Sequence, residues 1–254
     1  MSRFHTVILL SIAAIIAVAF TLNGWPRIFT IGAIVILNMT LFGIGMAFIR
    51  TQYFARVICS AKPGRNRVAI TFDDGPDGDA TPAVLDLLAR ENIPAAFFCI
   101  GRQVEMYPEL ARRIVAEGHL IENHSHHHAY TLMFNRAGGL TKEFGQSQRA
   151  IELAAGVSPR YLRPPVGLTN PHFSKMCRNL GLTIIGWDVR PLDTIRSADE
   201  VVDYVLKSAR DGSIILLHDA RTSPERITDI VQRIVSGLRA KGLGFERLDR
   251  LLEP

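Results

Sequence analysis

The chain has 254 residues, 48% of them hydrophobic and 21% charged, with three cysteines and a formal net charge of +5. A mean hydropathy of +0.16 excludes a disordered chain. Three scattered cysteines (Cys59, Cys99, Cys177) exclude a disulfide framework and a cysteine-based zinc ribbon. The charge is unevenly spread: residues 50–67 carry five basic side chains (Arg50, Arg56, Lys62, Arg65, Arg67) and no acid, whereas residues 68–254 hold 22 basic and 24 acidic ones. The excess therefore belongs to the first quarter of the chain, and no nucleic-acid surface is expected.

That quarter opens with two uncharged runs, residues 7–22 and 28–49. About 20 apolar residues cross a bilayer, so the pair predicts two transmembrane helices joined by a tight turn at residues 23–27. Trp25 suits the interface there. Six basic residues flank the open side of this hairpin (Arg3 and the five from Arg50 to Arg67), against Arg27 alone in the turn. The positive-inside rule then puts both termini and the body in the cytoplasm. Cleavage of the first run as a signal peptide, after Ala17-Val18-Ala19, would deliver the body to the same side. The expected organisation is a two-span membrane hairpin over 1–50, a basic juxtamembrane linker over 51–65 in reach of membrane lipids, and one domain over 66–254.

In the body, short apolar runs predict strands near 68–72, 95–100, 119–122, 161–163, 183–187 and 213–217. Helical patterns lie between them, near 81–91, 107–117, 141–155, 172–180, 198–209 and 224–241, with Gly118, Gly156 and Gly181 at expected helix ends. Alternation of this kind predicts an α/β fold with a parallel sheet closed, or nearly closed, into a barrel. Chemistry in such barrels gathers at the C-terminal ends of strands, and polar clusters occur there. Asp73 and Asp74 leave the first strand side by side, so one can act as a base while the other holds a metal. His124 and His128 follow the third strand, four residues apart, and would share one face of a helix; with a carboxylate they make a three-ligand site with open positions. Arg163 is a permanent cation able to fix a carboxylate. Trp187, Asp193 and His218 follow later strands. Two histidines and a carboxylate also suit the iron of an oxygenase, but the adjacent Asp73 and the distant His218 favour hydrolysis. His5, His119, His126, His127 and His172 are expected to be structural.

Taken in order, TFDDG (Thr71–Gly75), HSHHH (His124–His128), RPPVG (Arg163–Gly167), WDVRPLDT (Trp187–Thr194) and LLH (Leu216–His218) resemble the five motifs of the polysaccharide deacetylases of carbohydrate esterase family 4, the NodB-homology domain. The resemblance covers about residues 66–250 and implies that family's irregular (β/α) barrel of about seven strands. It implies a metal-dependent N-deacetylase of an amino-sugar glycan, with Asp73 as general base, His218 as general acid, Arg163 and Asp193 supporting them, and Asp74, His124 and His128 on a divalent metal. Zinc is the expected ion, with cobalt, nickel or manganese as alternatives. Pro165, Val166, Trp187 and Leu216 fall where substrate is bound. Val166, Arg190 and Thr194 depart from the family pattern, which carries an aromatic residue, an aspartate and a tryptophan there. All three departures concern the groove and tell against a long glycan; a domain on the cytoplasmic side of a bacterial inner membrane reaches an N-acetylated sugar on a polyprenyl-phosphate carrier, the expected substrate, or a nucleotide sugar. Mature peptidoglycan or exopolysaccharide is the alternative if the domain lies outside, and an inactive glycan-binding protein on the same fold is a third reading.

Overall fold

The computed structural model describes residues 2–253 of the chain. Helices α1 (Arg3–Thr21) and α2 (Gly24–Ala47) form the hairpin. Both are long and apolar enough to cross a membrane, and the rest of the chain buries almost none of either. This is unlike core helices, which hide an apolar stripe. Inside the hairpin, Asn38 donates to Ser11 Oγ at 2.9 Å and to its own helix at Ile34, a polar tie of the kind that joins helices in an apolar solvent. At its base, Phe4 N–H donates to the Tyr53 carbonyl at 2.9 Å. The Phe4, Phe42, Tyr53 and Phe54 rings meet edge to face there, and Gly45 leaves room for Tyr53, whose ring a Cβ would strike.

After the hairpin come β1 (Val57–Ile58), β2 (Arg67–Asp73), α3 (Ala80–Glu91), β3 (Ala95–Cys99), α4 (Gly101–Met106), α5 (Pro108–Ala116), β4 (Leu120–Asn123) and α6 (Ala137–Ala155). There follow β5 (Tyr161–Leu162), α7 (Phe173–Leu180), β6 (Thr183–Ile185), α8 (Ala198–Ser208), β7 (Ile214–His218), α9 (Pro224–Ala240), β8 (Gly244–Phe245) and α10 (Leu248–Leu251). Seven parallel strands run in the order β1-β6-β5-β4-β3-β2-β7, and β8 pairs with the start of β2. The ends of this sheet approach one another. Val189 bridges to Ile215, and Ser60 to Ser213. The Asp188 carboxylate accepts from Ile214 N–H at 2.7 Å and Ser213 Oγ at 2.8 Å. The result is the expected irregular barrel.

Central strands are buried on both faces, which explains why β2, β3 and β7 are runs of apolar residues without alternation. Outside them α3, α5, α8 and α9 pack Leu85, Leu88, Ile114, Val205, Ile230 and Val235 against Val68, Phe72, Phe97 and Ile215. Helix starts follow their signals: Ser197 and Glu200 form a reciprocal capping box on α8, and Ser223 caps α9 ahead of Pro224. The segment expected to be a linker does more than connect. Tyr53, Phe54, Ala55 and Val57 are buried, and β1 pairs with β6, so the barrel takes part of its wall from residues 53–58. Two strand residues set between Arg56 and Cys59 carry no period from which this pairing could be foreseen.

Candidate active site

Register brings the chemistry together. Adjacent strands β2 and β7 pair Asp73 with His218 at their C-terminal ends, so two groups 145 positions apart end at one level of the barrel. Behind Asp73 lies Arg163, wholly buried. Its guanidinium donates to Asp73 Oδ1 at 2.6 Å, to Thr71 Oγ1 at 2.9 Å and to the Gly186 carbonyl at 3.0 Å, and it sits 4.1 Å from the Phe98 ring centre. Burial pulls this cation's pKa down, and Asp73 opposes the pull. One oxygen of Asp73 is thus engaged by Arg163, while the other faces His124 Nε2 at 3.8 Å.

His218 is held from behind by Asp193, whose carboxylate accepts from His218 N–H at 2.8 Å and from Nδ1 at 3.0 Å. That leaves Nε2 for the cavity. Burial pulls the imidazolium down, but the hydrogen bond and charge of Asp193, with the charges of Asp73 and Asp74, outweigh it and raise His218 to about 9.

Asp74 leaves β2 in a left-handed conformation (φ 75°), which separates its direction from that of Asp73. Its Oδ1 is buried with no hydrogen-bond partner and faces His124 Nε2 at 3.4 Å and His128 Nε2 at 3.2 Å. Burial pushes Asp74 up, yet His124, His128 and His218 together hold it well below the usual carboxylate range. His128 is pushed down to about 4, first by burial and then by His124. His124 Nδ1 lies 2.8 Å from the Arg163 carbonyl; a carbonyl only accepts, so this nitrogen carries the proton and Nε2 keeps its lone pair. Two imidazole lone pairs and an orphaned carboxylate oxygen therefore converge, all ligand atoms within 4.8 Å of one another. This donor set fits a divalent cation, with the Arg163 carbonyl orienting one ligand from behind.

His124 and His128 do not converge as expected. Residues 124–128 are not helical; Ser125 (φ 66°) and His128 (φ 53°) turn the chain left-handed and bring the rings to 5.0 Å. Asn123 pins this loop by accepting from Ser125 N–H at 3.0 Å and donating to the Phe144 carbonyl at 2.8 Å. His127 turns away to Glu143 at 2.9 Å, and His126 Nε2 lies 3.8 Å from Glu105.

The cavity above these groups has a volume of about 400 Å³, and its walls include Val166, Trp187 and Leu216. Pro165 is buried but forms no part of the lining. It opens a tight turn that carries Val166 (φ 54°) to the rim instead. Leu192, inside the fourth motif, also lines the cavity, as do Tyr130, Ile195 and Arg221, which no motif contains. Asp219, next to His218, is a further omission. It is fully buried, accepts from Thr81 Oγ1 at 2.5 Å, and lies so close to Gly75 that a Cβ there would stand 2.6 Å from its carboxylate. Burial pushes this carboxyl up to about 7. Its signal was available: a carboxylate directly after an apolar strand.

Comparison with known proteins agrees with this geometry. The family described as Polysaccharide deacetylase matches residues 60–185. A chitooligosaccharide deacetylase of Sinorhizobium fredii is 39% identical over 168 residues, covering 65% of this chain and 78% of the relative. The chain belongs to the polysaccharide deacetylase family. A peptidoglycan-N-acetylglucosamine deacetylase of Bacillus cereus is 32% identical over 188 residues, or 73% of this chain and 68% of that one. Among solved structures, the Bc1960 peptidoglycan N-acetylglucosamine deacetylase superposes with a TM-score of 0.72 at 30% identity, covering 77% and 92% of the two chains. A CE4 family pseudoenzyme from Bacillus anthracis superposes equally well, with a TM-score of 0.72 at 22% identity over 78% and 69%. The fold of a polysaccharide deacetylase therefore does not decide activity, and the side chains of the site must.

The pairing of His218 with Asp193 predicts a pH profile. A raised pKa favours the charged acid, so activity that needs protonated His218 falls as the pH rises through about 9, or lower when a cation offsets the pull of Asp74. Asp193→Asn removes the partner's charge and leaves burial to dominate. The alkaline limb of kcat then moves down by about one pH unit or more. The same shift stabilises the fold fully below about 6.5, a contribution lost through 9. An alkaline limb unmoved in Asp193→Asn would disprove the pairing.

Proposed function

We propose that the chain is a metal-dependent N-deacetylase of an N-acetylated amino sugar, releasing acetate and a free amine. The observation that carries this reading is the Asp73–His218 pair at one level of adjacent strands, each group locked from behind, beside a three-ligand cluster. A proton acceptor and a proton donor are held apart, as amide hydrolysis requires. The relatives named above act on chitooligosaccharides or on peptidoglycan N-acetylglucosamine.

Asp74, His124 and His128 would hold the cation. When bound, it supplies Lewis-acid polarisation of the amide carbonyl and of water, and zinc suits one carboxylate and two imidazoles, with cobalt, nickel or manganese as other candidates. Asp73, with Arg163 occupying one oxygen, takes the proton of the attacking water on the other. The Val166 N–H at the rim donates to the developing oxyanion. His218 Nε2 gives its proton to the departing nitrogen. Leu216 and Trp187 offer the acyl methyl group an apolar wall.

The finer reading is a sugar presented at the membrane surface on a polyprenyl-phosphate carrier, with residues 1–50 as membrane hairpin, 51–65 as basic collar and 66–254 as catalytic domain on the cytoplasmic side. A chain of contacts from hairpin to cavity supports it. Thr169, two residues beyond the cavity wall at Gly167, donates its N–H to the Met46 carbonyl of α2 at 3.3 Å. The next residue, Asn170, donates to the Met133 and Asn135 carbonyls at 2.8 and 3.0 Å. Those bonds hold the turn in which Tyr130 and Phe134 are exposed. An apolar rim tied to the end of a span favours a lipid-borne substrate over a soluble polymer.

The test uses the full chain in detergent with N-acetylglucosamine linked to a polyprenyl phosphate. Amine release that stops on chelation and returns with zinc is expected, and a carboxyl-terminal alkaline phosphatase fusion is expected to be silent in cells. Amine release from peptidoglycan alone, with an active fusion, would move the reading to the outer surface; no release from any N-acetylated sugar would end it.

A further inference from the structure

Two arginines at the cavity have no part in the hydrolysis. Arg190 and Arg221 both line it. Among the described residues neither makes an ion pair or a side-chain hydrogen bond, although Arg163, Arg226 and Arg233 are all satisfied. Arg190 is half-buried, with its guanidinium 5.2 Å from the Trp187 ring centre and its Nε sealed from solvent without a partner. Stacking on a buried tryptophan removes much of the rotamer freedom an arginine would otherwise lose on binding. Arg221 keeps a left-handed backbone (φ 60°), a conformation that costs a Cβ-bearing residue energy and that clusters at ligand sites.

Charge accounting shows what they lack. The carboxylates in the cavity lining are Asp73 and Asp74. Asp73 is taken by Arg163 and Asp74 by the histidine cluster, while Asp193 is spent on His218. Two positive charges are therefore left over at the mouth of a site that already favours a cation. A neutral N-acetylated glycan offers them nothing, and a half-buried guanidinium without an anion carries an unreturned desolvation cost. A phosphate ester answers both, since the arginine fork matches its oxygens two at a time.

We infer that Arg190 and Arg221 form a phosphate subsite, so that the sugar deacetylated here is a glycosyl phosphate. The inference rests on the N-deacetylase reading and narrows its substrate class. Two sources share this chemistry, the phosphate of a lipid carrier and that of a nucleotide sugar.

The experiment compares N-acetylglucosamine 1-phosphate with the methyl glycoside of N-acetylglucosamine on the detergent-solubilised full chain. The wild-type protein is expected to prefer the phosphate ester in kcat/KM, and Arg190→Gln or Arg221→Gln to cut that preference by about tenfold. Equal kcat/KM for the two sugars in the wild type, or variants that depress both alike, would overturn the subsite. A polyprenyl ester favoured over a uridine diphosphate ester supports the subsite with a lipid source, and the reverse order supports it with a nucleotide source. Calorimetric titration of N-acetylglucosamine 1-phosphate into Asp73→Asn protein separates the two levels of inference. Binding that Arg190→Gln abolishes supports the subsite even if no sugar is ever deacetylated, and no binding overturns it even if the methyl glycoside is a good substrate.

Discussion

Asp73→Asn is expected to lower kcat by about 10²–10⁴-fold, the range over which a positioned general base contributes, while zinc affinity measured by equilibrium dialysis stays close to wild type. The two halves of this expectation come from one geometric fact. Asp73 and Asp74 are neighbours in sequence, but with a left-handed backbone at Asp74 their carboxylates meet different partners. Asp74 Oδ1 stands 3.2–3.4 Å from the two histidine nitrogens, whereas Asp73 Oδ1 is bound by Arg163 at 2.6 Å and its Oδ2 is 3.8 Å from His124. An amide keeps the acceptor that Arg163 needs but cannot take a proton. The residual activity should keep the alkaline limb set by His218. Parallel loss of zinc in Asp73→Asn would instead make Asp73 a ligand and reverse the roles of the pair.

How much of this was legible in the sequence depends on the range of the interaction. Apolar runs revealed the central strands β2, β3 and β7, because burial on both faces leaves a local record. The end of β2 and the end of β7 each announced a polar residue after such a run. The histidine pair is visible as types and spacing, which fit one face if the stretch is helical; the positive φ at Ser125 and His128 that brings the rings together instead leaves no mark in non-glycine residues. Strand β1 was invisible for another reason: two residues paired with a strand more than 120 positions away carry no period of their own. Nor could Asp188 and Ser213 be seen closing the barrel, because that contact is created only once both sheet ends exist. Arg190 was noticed as a departure from a motif, yet its lack of a partner is a property of the folded cavity alone.

Arg163→Met should give the largest loss of stability of any single change at the site, about 3–5 kcal/mol, as expected for breaking a buried ion pair from one side. Arg163 is fully buried and joins four walls of the barrel: Thr71 and Asp73 on β2, Phe98 on β3, its own strand end after β5, and the Ile185–Gly186 carbonyls after β6. Methionine matches its reach and its apolar stem but leaves Asp73 charged in a dry environment next to Asp74. At roughly 2–4 °C per kcal/mol for a domain of this size, the melting temperature should fall by about 10 °C. The double variant Asp73→Asn/Arg163→Met separates a lost contact from a stranded charge. If the cost is the uncompensated carboxylate, removing that charge recovers part of it, and the two changes together fall short of the sum of the singles by about 2 kcal/mol or more. Strict additivity would mean that Arg163 holds the barrel through Phe98 and the backbone carbonyls and only incidentally through Asp73. The base would then depend on some other group for its orientation.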